Sequence, residues 1–233
     1  MIPDGDDLDG GEVPWALQVV VRVERDPTPQ HTAVLQATAS AVALALVAFT
    51  ADDAEQDVRD RTERWRAGPI RKVVRRARGA GWTRQLAVAG VVVHRTGDVD
   101  VAVHVPGPVD EVDPEVSRLQ VGGLTLEDPV RSTGGSPDGR ADVVIHLNPH
   151  VEMTTGKAAA QVGHAAQLVL QSLPTADAAR WTSEGAPVTV VTATSADWEH
   201  LVASAPVVVA DGGFTEVAPG TRTVVATHPW PGR

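Results

Sequence analysis

Two stretches of the chain share one alternation of apolar and polar segments. Residues 19–46 and 143–170 each begin with a run rich in β-branched apolar residues, continue through a polar loop, and end in an alanine-rich segment. They align without a gap at an offset of 124 positions. A β-branched apolar run favours a buried strand, and an alanine-rich segment favours a helix. The pattern therefore predicts a strand–loop–helix unit that occurs twice.

A second correspondence, formed by tryptophans and a run of valines, extends the repeat at an offset of 116 positions. The paired positions are Trp65 and Trp181, Trp82 and Trp198, and Val91–Val93 and Val207–Val209. Four of the six tryptophans fall into these pairs, so chance is a poor explanation. We therefore predict two copies of one α/β unit, at about residues 14–108 and 141–231, which form a pseudo-dimer within one chain.

The remaining segments are predicted to be a tail and a linker. Residues 1–13 form an acidic N-terminal tail, and residues 109–140 form a linker whose ends are rich in Pro, Gly and Asp. The middle of the linker, Ser117 to Asp128, is predicted to form a short hairpin around Gly122-Gly123. The second domain then extends over residues 141–233.

The second unit contains enough helix-cap and turn residues to predict where its helices and strands begin and end. Helix caps, turn pairs and β-branched runs give the order β-α-β-α-β-β, with a mixed sheet in a two-layer or three-layer α/β unit. The predicted strands are Val143–Leu147, Pro187–Ala193, Pro206–Ala210 and Arg222–Thr227, and the predicted helices are Gly156–Ser172 and Ala196–Ser204.

The amino-acid composition narrows the classes of protein to which this chain can belong. The chain has 233 residues, 42% of them hydrophobic, which is enough for one large domain or two smaller ones. It has no Cys, so disulfides, thiolate metal sites and a Cys nucleophile are excluded. No run of 18 apolar residues predicts a membrane span, and the acidic start is unlike a signal peptide. These features predict a soluble cytoplasmic protein, and the preference for Arg, Ala and Val is typical of a GC-rich bacterial genome.

Candidate chemistry starts at Gly156-Lys157, at the beginning of a predicted helix. A phosphate-binding loop needs a Gly five residues earlier and Ser or Thr after the Lys, but Val151 and Ala158 occupy those positions, which argues against a nucleoside triphosphate site. Lys157, Gln161 and His164 are spaced by four and three residues and share one helix face. A solvated face or a structural His would give the same pattern.

Asp211 is the second anchor of a candidate site. It follows three valines and an alanine and precedes two glycines, at the carboxyl end of a predicted buried strand, where α/β folds place ligand sites. Asp-Gly is also a common turn pair, so a plain turn residue is the alternative interpretation. Thr215, four residues later, is open to the same two interpretations.

Taken together these residues resemble a known family. The type 2 peptidyl-tRNA hydrolases carry a Met and then G-K-x-x-A-Q-x-x-H-A on their first helix, a Trp before the second strand, and D-A-G-x-T-x-x-x-x-G-T-x-T near the end. The matching residues here are Met153, Gly156, Lys157, Ala160, Gln161, His164, Ala165, Trp181, Asp211, Gly213, Thr215, Gly220, Thr221 and Thr223. The resemblance covers essentially the whole second unit.

The resemblance implies an enzyme that cleaves the ester between a peptide and the 3′ ribose of tRNA, without a metal or other cofactor. It implies that Lys157, Gln161, Asp211 and Thr215 line the catalytic site, with His164, Gly156 and Thr223 in support. Lys157 and Gln161 would donate hydrogen bonds to the oxyanion, and Asp211 would orient or deprotonate the attacking water. The substrate would be peptidyl-tRNA, and no membrane partner is expected.

Several family positions differ in this chain. The loop after the first strand usually has an Arg and an Asp, the second strand usually opens on a basic residue, and an Arg and a Gln usually follow D-A-G. Those positions are Asn148, His150, Val188, Phe214 and Glu216 here. Several of the missing groups are basic or polar residues that could contact tRNA, so the departures concern substrate affinity more than the catalytic residues.

The first unit lacks the candidate catalytic groups. In the repeat alignment Ala33, Ala37, Ser40 and Arg95 take the places of Lys157, Gln161, His164 and Asp211. The unit instead contains ten basic residues between Arg59 and Arg84, opposed by two acids, in a chain of formal net charge −10. We predict either an RNA-binding patch, with Arg71, Lys72, Arg75, Arg76 and Arg78 as its candidates, or a solvated surface.

Three functions remain open. The leading hypothesis is a peptidyl-tRNA hydrolase with its chemistry in the second unit. The alternatives are a non-catalytic RNA- or protein-binding module of the same fold and an esterase that acts on another acyl substrate. The chain would act as a monomeric pseudo-dimer or as a homo-oligomer.

Overall fold

The structure, a computed structural model, describes residues 13–129, 142–213 and 216–230. The N-terminal unit is built from alternating strands and helices followed by short elements of the linker. In chain order these are β1 (Trp15–Arg22), α1 (His31–Phe49), α2 (Gln56–Ala67), β2 (Arg71–Ala77), α3 (Gly79–Gln85), β3 (Val92–Thr96), β4 (Val99–Val103), β5 (Gly107–Pro108), α4 (Pro114–Ser117) and β6 (Gln120–Val121).

The C-terminal unit repeats this order. Its elements are β7 (Val143–Leu147), α5 (Thr155–Ser172), α6 (Thr175–Ser183), β8 (Val188–Thr192), α7 (Ser195–Ser204), β9 (Val207–Ala210) and β10 (Arg222–Thr227). All four predicted strands and both predicted helices are present, within one residue at each end. The prediction missed α6, a short helix in which only Trp181 is fully buried, so its apolar periodicity is weak.

The two sheets have the same topology. The C-terminal sheet has the order β8-β7-β10-β9, and the N-terminal sheet contains the matching order β2-β1-β4-β3, with β6 added beside β2 and β5 beside β1. In each unit the first two strands are parallel and the last two pair antiparallel. The protein is therefore an α/β protein with two mixed sheets, as the repeat predicted.

The paired tryptophans have equivalent environments in the two units. Trp65 and Trp181 are each 1% exposed, and their indole Nε1 groups donate to the carbonyl oxygens of Arg71 at 3.1 Å and of Pro187 at 3.0 Å. Both bonds hold a helix against the start of the strand that follows it. The sequence offset of 116 positions thus corresponds to one local structure formed twice.

The two long helices lie between the two sheets. α1 and α5 pack against each other, and each also contacts the sheet of the other unit, α1 through β8 and α5 through β2. Strand residues that face the two helices belong to one main core. Alternate strand residues face away from these helices: Val20 packs in an outer cluster with Trp82, and Val225 packs in another with Trp198. Each sheet is therefore covered on both faces, by the shared central helices and by α3 or α7.

α1 is long and apolar enough to cross a membrane, with a hydropathy of 1.9 over its most apolar window. Its position explains this composition without a membrane. It contacts α5, its own sheet and β8, so residues on most of its circumference are buried. A helix that is apolar on all sides is expected where a helix is surrounded by protein.

The prediction of a hairpin in the linker is wrong. After β6 the chain crosses the starts of α1 and α5 in an extended form, where it satisfies helix N–H groups that lack partners in their own helices. Gly156 N donates to Leu124 O at 3.1 Å, and Thr32 N donates to Asp128 Oδ1 at 2.9 Å. Leu126 N donates to Thr155 Oγ1 at 2.8 Å. The described part of the linker therefore binds both units; residues 130–141, like tail residues 1–12, lie outside the described residues.

Replacement of Trp65 or Trp181 by Phe tests the equivalence of the two units. Each substitution removes the indole donor from a buried carbonyl and leaves unfilled space, so each should lower the free energy of unfolding by roughly 2–3 kcal/mol. Urea denaturation would measure the loss. Trp15→Phe is the matched control, because Trp15 is only partly buried and should cost clearly less; unequal losses at Trp65 and Trp181 would contradict the equivalence.

Candidate active site

The topology brings the candidate residues to one edge of the C-terminal sheet. β7 and β8 are parallel, and β7 and β9 both run antiparallel to β10, so the carboxyl ends of β7, β8 and β9 point the same way. α5 starts from the loop after β7, and Asp211 directly follows β9. The first turns of α5 therefore lie beside Asp211.

The carboxylate of Asp211 is the centre of the cluster. Lys157 Nζ donates to Asp211 Oδ2 at 2.6 Å, and Gln161 Nε2 donates to the same oxygen at 2.7 Å. The other oxygen, Oδ1, accepts from Gly213 N at 2.8 Å. Only 10% of the Lys157 side chain and 7% of the Asp211 side chain are exposed. The cluster consists of charge-assisted hydrogen bonds at the edge of the core, where water screens the charges only weakly.

The buried hydroxyl of Thr223 fixes the orientation of Gln161. Thr223 is fully buried on β10, and its Oγ1 donates to Gln161 Oε1 at 2.6 Å. Because the amide oxygen accepts this bond, the amide nitrogen must face Asp211. Thr223, predicted as a supporting residue, therefore positions Asp211 through Gln161.

The loop after Asp211 is folded back on that residue. Asp211 N donates to Thr221 O at 2.9 Å, and Gly220 N donates to Asp211 O at 2.7 Å. Gly213 has a φ of +80°, and a Cβ at this position would lie 2.3 Å from Pro219 Cγ. Only glycine fits both the backbone conformation and the space, so the glycine of the motif is required to form this loop.

Glu216 connects the same loop to the start of α5. Thr154 caps the helix by accepting from Lys157 N at 3.2 Å. Glu216 in turn accepts from Thr154 N at 2.8 Å and from Thr154 Oγ1 at 2.7 Å. In the sequence, Glu216 stands out only as a departure from the family pattern. A Thr cap and a Glu 62 residues apart give no local signal, so this connection is visible only in the folded chain.

Gly156 and His164 were also predicted for the site, but neither donates a hydrogen bond to Asp211. Gly156 lies under the linker, where its N–H donates to Leu124 O. His164 lies one turn beyond Gln161 and contacts Lys72 of the N-terminal unit, with 3.2 Å between Lys72 Nζ and His164 Nδ1. Burial lowers the pKa of His164 well below its ordinary value, and the nearby Lys72 and Lys157 charges lower this pKa further. Thr215 lies outside the described residues.

The basic stretch does not form one exposed patch. Arg75 is 9% exposed and donates from Nη1 to the carbonyl oxygens of Ser117 at 3.0 Å and Leu119 at 2.9 Å. Lys72 points into the interface between the units. Neither position suits contact with an RNA backbone. Arg76 and Arg71 are partly buried, and Arg78 is exposed.

A cavity of about 400 Å³ opens beside the first turn of α5. It lies between the carboxyl ends of β7 and β8 and the start of α1, and its lining combines apolar side chains with polar ones, among them Asn148, Glu152 and Thr192. Asn148, a departure from the family pattern, lines it and holds the loop by donating to Arg222 O at 2.7 Å. His31 of α1 also lines the cavity, so both units shape this space. Glu152 is the one acid in the lining, which contains no Lys or Arg.

The described residues contain no cluster of three or more His, Asp or Glu side chains that could hold a metal ion. Polar contacts within the cluster at Asp211 are made by a Lys, an amide, a hydroxyl and a backbone N–H. This set supplies hydrogen bonds and one ion pair, and it suits stabilisation of a charged oxygen and orientation of a water molecule.

One comparison with known families concerns the unit that carries this cluster. The fold and the cluster define the C-terminal unit as an α/β domain with a Lys–Asp site at the carboxyl edge of its sheet. Residues 141–233 match the family described as Peptidyl-tRNA hydrolase PTH2 and form a domain of that family. The match does not extend to the N-terminal unit. No curated protein matches the chain.

Thr223→Val tests how Gln161 is held. The substitution keeps the shape of the side chain but leaves the buried Gln161 Oε1 without its donor, so the free energy of unfolding should fall by about 1–3 kcal/mol. Urea denaturation would measure the change. Thr221→Val is the control, since that hydroxyl lies two residues earlier, in the loop before β10, and donates to Ala218 O at an exposed site. Equal, small effects of both variants would show that the Thr223 bond does not matter.

Proposed function

We propose that the C-terminal unit hydrolyses the ester bond of peptidyl-tRNA, releasing the peptide and free tRNA. The observation that carries this proposal is the Lys157–Asp211 pair, with Gln161 and Thr223 holding the carboxylate, in a domain of a peptidyl-tRNA hydrolase family. The family suggests the reaction, and the cluster provides groups that can perform it.

The geometry supports a division of roles. Asp211 is held by three donors, so its carboxylate is fixed where it can orient a water molecule and accept a proton from it. The ammonium group of Lys157 lies at the same place and can donate to the carbonyl oxygen on which negative charge develops. Gln161 is 3% exposed and bonded at both ends, so we assign it to positioning Asp211 rather than to the oxyanion. Thr215 remains a predicted member of the site.

The cavity beside α5 gives a place for the acyl part of the substrate. Its lining mixes apolar and polar side chains and contains Glu152 but no Lys or Arg, which suits a peptide segment better than phosphate groups. The RNA would then approach from another side of the cluster. A tRNA substrate is consistent with the cytoplasmic location that the sequence predicts.

We propose that the N-terminal unit is a degenerate copy of the same domain, so that the chain is a pseudo-dimer with one active site. The shared strand order, the shared element order and the equivalent tryptophan bonds support this. The residues of this unit that we propose to contact RNA are the basic residues whose side chains are exposed. Arg78 is the best placed of them, because it is exposed and lines an open cavity of about 760 Å³, whose other charged residues are Arg22, Arg25, Glu24 and Asp26.

The second candidate function is a non-catalytic RNA- or protein-binding module. The observation that favours it is the loss of polar family positions, since Val188 is buried in β8 and Glu216 is used to hold Thr154. Hydrolysis of another acyl ester is the third candidate, because the cluster itself does not define the acyl group. A turnover assay separates these functions.

Substitution of the central pair tests the proposed reaction. Asp211→Asn and Lys157→Met should each lower turnover of a radiolabelled N-acyl-aminoacyl-tRNA by at least about 100-fold, because each removes a charged group from the reacting centre. Release of the acylated amino acid would be measured, and circular dichroism would verify folding. Asp197→Asn, at the exposed start of α7, is the matched control and should retain activity.

The outcomes separate the candidates. Full activity in both Asp211→Asn and Lys157→Met would reject the site. Absence of turnover in the wild type, together with salt-sensitive tRNA binding, would favour the binding module. Turnover of other acyl esters but not of acylated tRNA would favour the third candidate.

Arg78→Ala tests RNA contact by the N-terminal unit. If Arg78 contacts a phosphate, tRNA binding should weaken and the slope of log affinity against log salt should fall by about 1. Filter binding over a salt series would measure both quantities. Arg118→Ala, at an arginine already paired with Glu115 at 3.0 Å, is the control; an unchanged slope in Arg78→Ala would exclude a phosphate contact.

A further inference from the structure

A lysine of the N-terminal unit reaches the helix that carries the candidate site. Lys72 projects from β2 across the interface, and its Nζ donates to Gln167 Oε1 of α5 at 2.5 Å. The same ammonium lies 3.2 Å from His164 Nδ1 and 4.9 Å from the centre of the Trp65 ring. Lys72 is thus bonded to two residues of α5, within two turns of Gln161.

The interface is shaped to admit this side chain. Gly163 leaves the necessary space, because a Cβ there would lie 3.3 Å from Lys72 Cδ and 3.2 Å from Val42 Cγ2. All three groups around the ammonium are neutral, and no carboxylate among the described residues pairs with it. Burial lowers the pKa of Lys72 well below its ordinary value. Holding a lysine in this way is costly, so its contacts on α5 are expected to have a role.

The acceptors of Lys72 lie next to the residues of the site. Lys157, Gln161 and His164 share one face of α5, and Gln167 follows one turn later on an adjacent face. Gln167 presents its oxygen to Lys72, while its Nε2 has no hydrogen-bond partner among the described residues. Lys72 therefore holds two side chains, those of His164 and Gln167, that follow Gln161 on α5.

We propose that Lys72 is a positioning residue that couples the N-terminal unit to the active site by holding α5 in the rotation that directs Gln161 to Asp211. This inference rests on the proposed hydrolase function. It gives the N-terminal unit, which lacks the candidate catalytic groups, an indirect part in the reaction through α5. It also replaces the RNA-contact role that the sequence suggested for Lys72.

The test compares Lys72→Met with Ser40→Ala. Ser40 occupies the position on α1 that His164 occupies on α5, and its Oγ donates across the interface to Ala186 O at 2.8 Å. Ser40→Ala therefore weakens the same interface without touching α5. Lys72→Met keeps the apolar stem and removes the ammonium.

Two readouts are used on the full chain. The first is the separate measurement of kcat and KM with N-acyl-aminoacyl-tRNA. We expect Lys72→Met to lower kcat by roughly tenfold to a hundredfold at unchanged KM, because a misdirected Asp211 affects the reaction and not RNA binding. The second is the NMR signal of the Gln161 side-chain amide in ¹⁵N-glutamine-labelled protein, which should shift in Lys72→Met. Ser40→Ala should change neither.

Two results would overturn the proposal. A raised KM and a smaller salt slope at constant kcat would make Lys72 an RNA contact. A lower melting temperature with unchanged kinetics and an unchanged Gln161 signal would show that Lys72 only stabilises the fold. If the wild type shows no turnover, the proposed function fails, and the Gln161 signal still decides whether Lys72 positions the site. If Lys72→Met does not fold, Gly163→Ala displaces the Lys72 stem and should shift the same signal.

Discussion

The close packing of α1 against α5 is the interaction on which the rest of the structure depends. Both helices are rich in buried alanines, and the space at Gly163 lets Val42 approach the α5 backbone. Small side chains allow the helices to lie close together and to fit between two sheets. Each sheet then buries its inner face on helices from both units, so one continuous core crosses the boundary between them.

Within this shared core, the two long helices differ in polarity at positions that the repeat alignment makes equivalent. On α1 the positions equivalent to Lys157 and Gln161 are alanines, which improves packing in a helix that is buried on most sides. On α5 the same face turns toward Asp211 and Thr223 and stays polar. The two long helices therefore differ: α1 presents mainly small apolar residues to the core, and α5 also carries the polar groups of the candidate site.

Local patterns predicted most of the fold, and the errors have a common cause. The strands and helices of the second unit follow from β-branched runs and alanine-rich segments, and the shared helix face of Lys157 and Gln161 follows from their spacing. The pairing of Asp211 with that face depended on a family motif. Gly122-Gly123 suggested a hairpin, but the segment after it instead satisfies the starts of two helices that are 124 residues apart. Lys72 and Arg75 appeared in a basic run, yet tertiary contacts turned them inward.

The contacts at the two ends of α5 suggest why the chain keeps both units. At its start, Thr154 and Glu216 join the helix to the loop that carries Asp211, while Gly156 and Thr155 bond to the linker. Farther along, its other side is held by α1 and β2. The position of Gln161 relative to Asp211 thus depends on contacts from both units and from the linker. Because these contacts act on one rigid helix, a change in the N-terminal unit can alter the geometry of the site without touching any residue in it.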